Sequence, residues 1–150
     1  MLTGPANLIK AQIKSNLDAL VAINGTLGAV IERDINTDIL QTDFPALPCA
    51  VLGTSRMESD WEYQQTNRRT YVYDILVVQQ QDKLSYVAEM EDLRDAIATR
   101  FDEHFTLAGM APFGVSAVFS ERATVRSADK NYVLFNVTIR ATTPVSLVYP

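Results

Sequence analysis

Two stretches of the chain place apolar residues three and four positions apart, which is the spacing of one face of an α-helix. The first begins at Pro5, a residue that suits a first helical turn, and stops at Asn24 and Gly25. Its stripe consists of Leu8, Ile9, Ile13, Leu17, Leu20 and Val21. The second follows Asp82, a candidate N-cap, and ends before Gly109. Its stripe consists of Val87, Met90, Leu93, Ile97, Phe101 and Phe105. The pattern predicts two amphipathic helices.

Prolines and alternating residues mark the strands between the two helices. Pro45 and Pro48 cannot lie inside a central strand, so they bracket the lead into a short buried strand over residues 49–53. In TNRRTYVYDILVV, residues 66–78, both alternating faces become apolar toward the C-terminal end. That change predicts an interior strand covered on both faces. A shorter apolar stretch over residues 30–35 fits one more short strand.

The last third of the chain alternates apolar and polar residues in two runs, which the turn SADKN separates. The apolar positions of the first run are Val115, Ala117, Phe119, Ala123 and Val125. Those of the second run are Val133, Phe135, Val137, Ile139 and Ala141. Each run fits a strand with one core face, and Pro144 is predicted to end the second. Together the runs predict an antiparallel hairpin.

The order of these elements is helix, two or three strands, helix and hairpin. It predicts an α+β fold, a mainly antiparallel sheet with two amphipathic helices packed on one face. With 150 residues, 47% of them hydrophobic, we expect one domain over residues 1–150. A polar arm or hairpin is expected around residues 55–68. No apolar run is long enough for a transmembrane helix, and the N-terminus lacks the features of a signal peptide, so we expect a cytoplasmic origin.

Composition and charge limit which binding and catalytic sites the chain can contain. Thirteen Lys and Arg against eighteen Asp and Glu give a net charge of -5, which disfavours a protein that neutralises nucleic-acid phosphates. Cys49 is the single cysteine, so no intrachain disulfide forms, and its apolar neighbours predict a buried, inert thiol. His104 is the single histidine, so there is no His-pair metal site. With no glycine-rich phosphate loop either, we expect no metal, no cofactor and no enzymatic activity.

The basic start of TNRRTYVYDILVV allows two interpretations. Arg68 and Arg69, beside two tyrosines, could form a platform for RNA bases. Such a platform needs glycines that let the bases approach, and none occurs over residues 54–108. Asp74 on the other face would also repel phosphate. These observations favour a core strand whose basic end emerges into solvent.

The layout resembles the tail terminator, or tail completion, proteins of long-tailed bacteriophages and related head–tail joining proteins. The resemblance covers most of the chain and depends on the order of its pieces. After the N-terminal amphipathic helix come DFPALPCAVLG, a polar arm, NRRTYVYDILVV, the acidic helix EMEDLRDAI and a closing hairpin that ends in VTIRATTPV.

This resemblance implies a structural virion protein rather than an enzyme. Members of the family form a ring, usually of six subunits, that caps the tail tube, ends its polymerisation and joins it to the head. The implied partners are other copies of the chain, the tail tube protein and the head–tail connector or stopper protein. DNA would pass through the lumen without sequence-specific binding, and no membrane is involved. The implied location is the neck of the virion, after assembly in the host cytoplasm.

The arm at residues 57–67 is the candidate interface of such a ring. Trp61 and Tyr63 are aromatic residues in a polar stretch, and these residue types are enriched at interface hot spots. Arg68 and Arg69 mark where the strand meets the arm and are the other two candidate interface residues, with the carboxylates of a neighbouring protein as the partners to test for. An alternative is that Trp61 folds back on the core of its own subunit.

The acidic run on the second helix, Glu89, Glu91, Asp92 and Asp95, is expected to face solvent because it lies opposite the apolar stripe. A charge of -5 per subunit, repeated around a ring, would also give a lumen that repels DNA phosphates. Two other functions remain open on the sequence alone. One is a different head–tail connector or baseplate adaptor, and the other is a monomeric module that binds a small ligand.

Overall fold

The part of the chain that the structure describes forms two helices and six strands, and three of the strands are long. The computed structural model describes residues 4–22, 27–36, 39–41, 44–61, 66–80, 85–121, 123–127 and 130–146. Helices α1 and α2 are Pro5–Ala22 and Ser85–Glu103, and a 3₁₀ helix covers Ile39–Gln41. Strands β1 to β6 are Ala29–Glu32, Cys49–Trp61, Thr66–Gln80, Val115–Phe119, Ala123–Ser127 and Lys130–Ser146.

The strands form one sheet in the order β1-β2-β3-β6-β4, and β5 also pairs with β6. β1 runs parallel to β2, and every other described pair is antiparallel. The predicted α+β fold with a mainly antiparallel sheet is therefore confirmed. β3 lies between β2 and β6 and pairs with β6 along its whole length. The predicted interior strand is confirmed as well.

Both helices pack on the same face of the sheet. The buried residues of α1 are Ile9, Ile13, Leu17 and Leu20, and those of α2 are Met90, Leu93, Ile97 and Phe101. From the central strands, the same core includes Ala50, Leu52, Tyr71, Tyr73, Ile75, Val77, Val137 and Ile139. Burying each large apolar side chain stabilises the fold by about 1.5–3 kcal/mol, so this face holds most of the hydrophobic stabilisation.

Side-chain hydrogen bonds from α2 and from β3 fix α1 in place. The buried amide of Asn16 accepts a hydrogen bond from Arg100 Nε on α2 at 2.9 Å and donates one to the Gln12 carbonyl at 2.8 Å. The hydroxyl of Tyr73 on β3 donates to the Ala6 carbonyl in the first turn of α1. Burial raises the pKa of the Tyr73 hydroxyl well above its usual range, and the charge of a neighbouring tyrosine raises it further. α1 is thus tied to both the sheet and the second helix.

The opposite face of the sheet is covered over one half only. A second apolar cluster forms there from Ile39, Cys49, Val51, Leu76, Val78 and Tyr132. Phe44 packs edge-on against the Tyr132 ring with 6.4 Å between ring centres. Leu76 and Val78 face this cluster while Ile75 and Val77 face the helices, which confirms that this half of β3 is covered on both faces. The thiol of Cys49 is fully buried, as predicted.

The strand predicted over residues 49–53 is longer than expected. β2 continues through a bulge between Leu52 and Ser55, where one extra residue on β2 shifts the register with β3. Gly53 lies at this bulge, and a Cβ on it would come within 3.2 Å of the Asp74 carbonyl oxygen. The glycine that was expected to end the strand instead allows β2 to pass close to its neighbour and continue.

Residues 115–125 form two strands, not one. Phe119 pairs with Val137, but Ala123 pairs with Leu134, so the register against β6 shifts by one residue between β4 and β5. Because a one-residue shift exchanges the faces of a strand, Ala123 and Val125 leave the face that Phe119 shares with the core. Both are exposed, and their predicted core positions are wrong.

Ser120 supplies the physical reason for this shift. Its N–H donates to the Asn136 carbonyl at 2.9 Å, as a paired strand residue would. The N–H of Asn136, however, donates to Ser120 Oγ at 2.8 Å and not to a backbone carbonyl. A side-chain oxygen replaces one backbone acceptor, and the ladder is interrupted there.

Pro144 does not end β6, which continues two residues beyond it. Thr142 donates its N–H to the Gly114 carbonyl at 3.4 Å, on the side of β6 that faces away from β3. Peptide groups two residues apart on a strand point to the same side, so the nitrogen of Pro144 also faces away from β3. Opposite Arg68 of β3, the proline therefore removes no hydrogen bond from the ladder that holds β6 in the sheet.

Phe105 was predicted to extend the apolar stripe of α2, and this is wrong. α2 ends at Glu103, and the chain then turns through Leu107 and Ala108, which adopt positive φ angles of 49° and 57°. The turn buries Leu107 completely and leaves Phe105 56% exposed. Helical spacing therefore stops predicting burial where the helix itself stops.

We expect Tyr73→Phe to lower the free energy of unfolding by about 1 kcal/mol, because it removes the hydrogen bond from β3 to the Ala6 carbonyl. Urea denaturation of both proteins measures the difference. Tyr71→Phe is the matched control, since Tyr71 lies two residues away on the same face and its hydroxyl has no hydrogen bond among the described residues. Equal losses in the two variants would contradict the role assigned to this bond.

Burial raises the pKa of the Cys49 thiol from 9.0 to about 11, which predicts a loss of stability in alkali. Between these values the unfolded thiol ionises while the folded thiol keeps its proton, so unfolding becomes easier as pH rises. The full effect is about 2–3 kcal/mol, and it is absent below the lower value.

Urea denaturation at about pH 8 and about pH 10.5 measures this loss. Cys49→Ala should lose less stability between the two pH values than the unsubstituted protein. Tyr73 contributes to both proteins alike and cancels in the comparison. Identical pH dependence in both proteins would show that folding does not raise the pKa of the Cys49 thiol.

Candidate interface on the distal sheet

Three strands continue past the part of the sheet that the helices cover. We call this region the distal sheet: residues 55–61 of β2, 66–70 of β3 and 142–146 of β6. None of its described side chains is buried. At about 3.3 Å per residue, five to seven residues extend the strands by about 17–23 Å. The distal sheet is therefore regular structure, and its residues 55–58 are exposed on both faces.

Polar residues with high strand propensity hold the distal sheet together. Threonine occurs at positions 70, 142 and 143, and its branched side chain favours extended backbone while keeping a hydroxyl in solvent. Thr70 of β3 and Thr142 of β6 are direct register partners, and their hydroxyls are hydrogen-bonded at 3.0 Å. Such cross-strand pairs stabilise the sheet without an apolar core beneath it.

An ion pair crosses between β2 and β3 at the base of the distal sheet. Arg56 Nη1 lies 2.5 Å from Asp74 Oδ2, and the other oxygen of Asp74 accepts a hydrogen bond from the Thr138 hydroxyl at 3.2 Å. The sequence led us to expect Asp74 as a carboxylate that repels phosphate. The structure pairs it with a guanidinium, so its charge is compensated within the chain.

A second ion pair bridges over β3 on the same face. Arg140 of β6 contacts Glu58 of β2, although β3 lies between these strands. Val72 of β3 lies in register between Arg56 and Arg140 and is fully buried, with no helix on that face. The register places the two arginines on either side of Val72, so we attribute its burial to their methylene stems. The charged groups of this face therefore form an ordered layer and also shield an apolar residue.

Of the two predicted interface aromatics, the structure describes only the backbone of Trp61. Trp61 ends β2 and its backbone pairs with Asn67 of β3. Tyr63 lies outside the described residues, and so does the connection itself. The pairing makes residues 55–61 and 66–68 the two strands of a hairpin. The predicted contact of Trp61 and Tyr63 with a neighbouring subunit stays a prediction.

Arg68 and Arg69 point to opposite faces because they are consecutive on β3. Arg68 is opposite Pro144, and its guanidinium carbon lies 4.4 Å from the centre of the Phe113 ring. This cation–π contact engages Arg68 within its own chain. Arg69 is opposite Thr143, and among the described residues its buried Nε has no hydrogen-bond partner. The two arginines that mark where the strand meets the arm thus lie on opposite faces of the sheet and do not form one basic site.

The sequence did not reveal the paired layer formed by Arg56, Glu58, Asp74 and Arg140. One signal was present, because Arg56 and Glu58 are two positions apart and share a face of any strand. That signal required β2 to be recognised beyond Gly53. The contact between Arg68 and Phe113 had no sequence signal, since it depends on how β4 is placed beside β6.

The acidic residues of α2 face solvent, as predicted. Glu89, Glu91, Asp92 and Asp95 are all exposed. Arg94 Nε lies 3.9 Å from Asp95 Oδ1, so one of these carboxylates has a basic neighbour on the helix surface. The rest of the helix buries its opposite stripe, which leaves the acidic side as an outer surface of the protein.

A cleft of about 370 Å³ lies between α1 and α2. Its lining residues are Ala19, Leu20, Asp95, Ala96, Thr99, Arg100 and Glu103. Arg100 is held there by the Asn16 amide, and carboxylates flank it. This is the cleft where a small ligand would bind if the chain were a ligand-binding module.

Among the described residues, no group of three or more His, Cys, Asp and Glu side chains could hold a metal ion. Within the same ranges, no helix is long and apolar enough to cross a membrane. Neither a protein-family model nor a curated protein matches the sequence of this chain.

We expect Arg140→Ala to destabilise the protein more than Arg140→Met does. Both changes remove the ion pair with Glu58, which at an exposed site is worth about 0–1 kcal/mol. Only alanine also removes the stem that covers Val72, so its additional loss measures packing rather than charge. Urea denaturation of the two variants supplies the comparison, and equal losses would show that Val72 is covered by something else.

Proposed function

We propose that this chain is a structural subunit of a long-tailed bacteriophage, a tail terminator that forms a ring at the head-proximal end of the tail tube. The ring ends polymerisation of the tube and joins it to the head connector. The order of elements along the chain supports this proposal through its resemblance to that family. The observation that carries it is the distal sheet, an ordered surface that the core of the protein does not use.

A ring of identical subunits needs two different surfaces that complement each other. The distal sheet is one candidate, because it carries a layer of paired charges on regular strands and Trp61 is the last residue of β2. The turn after α2 is the other. It exposes Phe105 and Met110, large apolar side chains of the kind that anchor interfaces, while its Phe113 contacts Arg68 within the same chain. The two surfaces differ in chemistry, as a head-to-tail contact requires.

The acidic side of α2 is proposed to line the lumen. Its four exposed carboxylates would face the passing DNA and repel its phosphates at short range. That arrangement lets DNA slide without adhering to the ring. A ring whose lumen is basic would contradict this part of the proposal while leaving the ring itself in place.

Electron cryomicroscopy of particles that carry the protein tests the proposal directly. We expect density for a ring of this fold between the tail tube and the head connector. A ring at the baseplate or within the connector would favour an adaptor protein. Absence from purified particles, with a monomer that retains a small molecule, would favour a ligand-binding module.

A variant with Trp61→Ala and Tyr63→Ala tests the interface. If these aromatics anchor the ring, their loss should reduce ring assembly and tail attachment by about tenfold or more, as at other hot spots. Leu8→Ala is the matched control, since Leu8 is an exposed apolar residue on α1, far along the chain from the hairpin. Normal attachment by the double variant would mean that the ring does not depend on these residues.

A further inference from the structure

The outer edge of β2 is unpaired over its distal half. β1 pairs with β2 only from Cys49 to Leu52, and beyond the bulge no described strand lies on that side. Met57 is 55% exposed there, and its neighbours Arg56 and Glu58 are exposed as well. An unpaired edge offers backbone donors and acceptors to any strand that can align with it.

The pairing upstream fixes which residues offer these groups. Arg33 donates its N–H to the Leu52 carbonyl at 3.1 Å, so the peptide groups of Leu52 face outward, toward β1. Peptide groups alternate in direction along a strand, and the extra residue of the bulge reverses that alternation. Beyond the bulge, the backbone N–H and C=O groups that point away from β3 are therefore those of Ser55, Met57, Ser59 and Trp61.

The two open edges of the distal sheet differ in one respect. On the far side, Pro144 occupies an outward-facing position of β6 and supplies no N–H, which blocks the addition of a strand. The β2 edge contains no proline from Cys49 to Trp61. The distal sheet is thus blocked on one side and competent for pairing on the other.

The charges on β2 select a second copy of the same strand as its partner. In an antiparallel pair centred on Met57, Arg56 lies opposite Glu58 of the partner subunit, and the same contact recurs by symmetry. Met57 then meets Met57 of the partner subunit, and Ser55 pairs with Ser59 of the partner subunit. Sliding one strand by two residues in either direction would bring two Glu58 or two Arg56 side chains together, which is unfavourable.

The existing ion pairs extend this complementarity. Glu58 already contacts Arg140, and Arg56 already contacts Asp74. Juxtaposing Glu58 with Arg56 of the partner subunit would join these pairs into a row of alternating charge across both sheets. Networks of this kind contribute more than isolated surface pairs.

From these observations we propose that the β2 edge forms a symmetric, antiparallel dimer between two copies of this chain. The contact is isologous, so it closes on itself at two subunits and cannot build a ring. The proposal therefore does not rest on the tail function. The short strand makes the dimer weak, and its population rises with protein concentration.

Sedimentation velocity over a range of concentrations tests the dimer, with Met57→Pro and Met57→Val compared. Proline removes an outward N–H without breaking the ladder to β3, so the variant should fold, which circular dichroism checks, and should remain monomeric. Valine keeps the N–H and should dimerise within about threefold of the unsubstituted protein, since surface changes are small. A monomer at all concentrations for the unsubstituted protein, or self-association that Met57→Pro leaves unchanged, would overturn the proposal.

Charge exchange tests the register by a separate route. Arg56→Glu and Glu58→Arg each place like charges opposite each other and should weaken dimerisation by about tenfold. The double exchange restores opposite charges between subunits, although it disrupts both ion pairs within each subunit. Recovery of the dimer in the double variant alone supports the proposed register, and no recovery contradicts it.

Disulfide cross-linking tests whether Met57 lies at the two-fold axis of the proposed dimer. Met57→Cys places two thiols opposite each other, and mild oxidation should link the subunits in high yield. Ser55→Cys should not self-link, because its opposite residue is Ser59 of the partner subunit. The native Cys49 is buried and gives the background level. Linking at position 55 but not at 57 would show a different alignment.

Discussion

The fold depends on one strand, β3, whose C-terminal half is covered on both faces. Backbone pairing with β2 and β6 satisfies its peptide groups on both sides, so the strand can be buried with little cost in unmade hydrogen bonds. Its side chains then alternate between two apolar clusters, one under the helices and one under the 3₁₀ segment. The sheet, the helices and the covering segment all contact this strand. Its N-terminal half continues from this core into the distal sheet.

This arrangement separates two tasks along the same strands. Near the helices, the residues of β2, β3 and β6 are selected for apolar packing. Farther along, the same strands carry threonines and paired charges, which maintain regular structure without a core. A surface built on continuous strands holds its side chains in fixed positions, and that suits a protein proposed to assemble with copies of itself.

Much of this architecture is encoded in local patterns. Ile13 and Leu93 are predicted and found in the core because a helix repeats nearly every four residues and one stripe must be buried. Ile75 and Leu76 are predicted on opposite covered faces for the corresponding reason in a strand. The incorrect predictions lie where the regular spacing of a strand or helix is interrupted. The interruptions are the bulge after Leu52, the register shift at Ser120 and the turn after α2, which buries Leu107 and leaves Phe105 exposed. Periodicity does not signal such steps: the bulge and the Ser120 shift depend on pairing with strands distant in sequence, and the turn depends on positive φ angles at Leu107 and Ala108.

The bulge at Gly53 has a consequence for how this chain can change. Even-numbered residues of β2 face the helices before it, and odd-numbered residues face that side after it. Deleting one residue of the bulge would make the ladder with β3 regular and leave Arg56, Met57 and Glu58 on their present faces. Deleting a residue between the bulge and Trp61 would instead exchange the faces of every β2 residue after the deletion. The bulge reverses which alternate residues of β2 face the helices. It is therefore the position of this strand at which the loss of one residue should be tolerated best. Substitutions in one half of the strand, by contrast, can accumulate with little effect on the other.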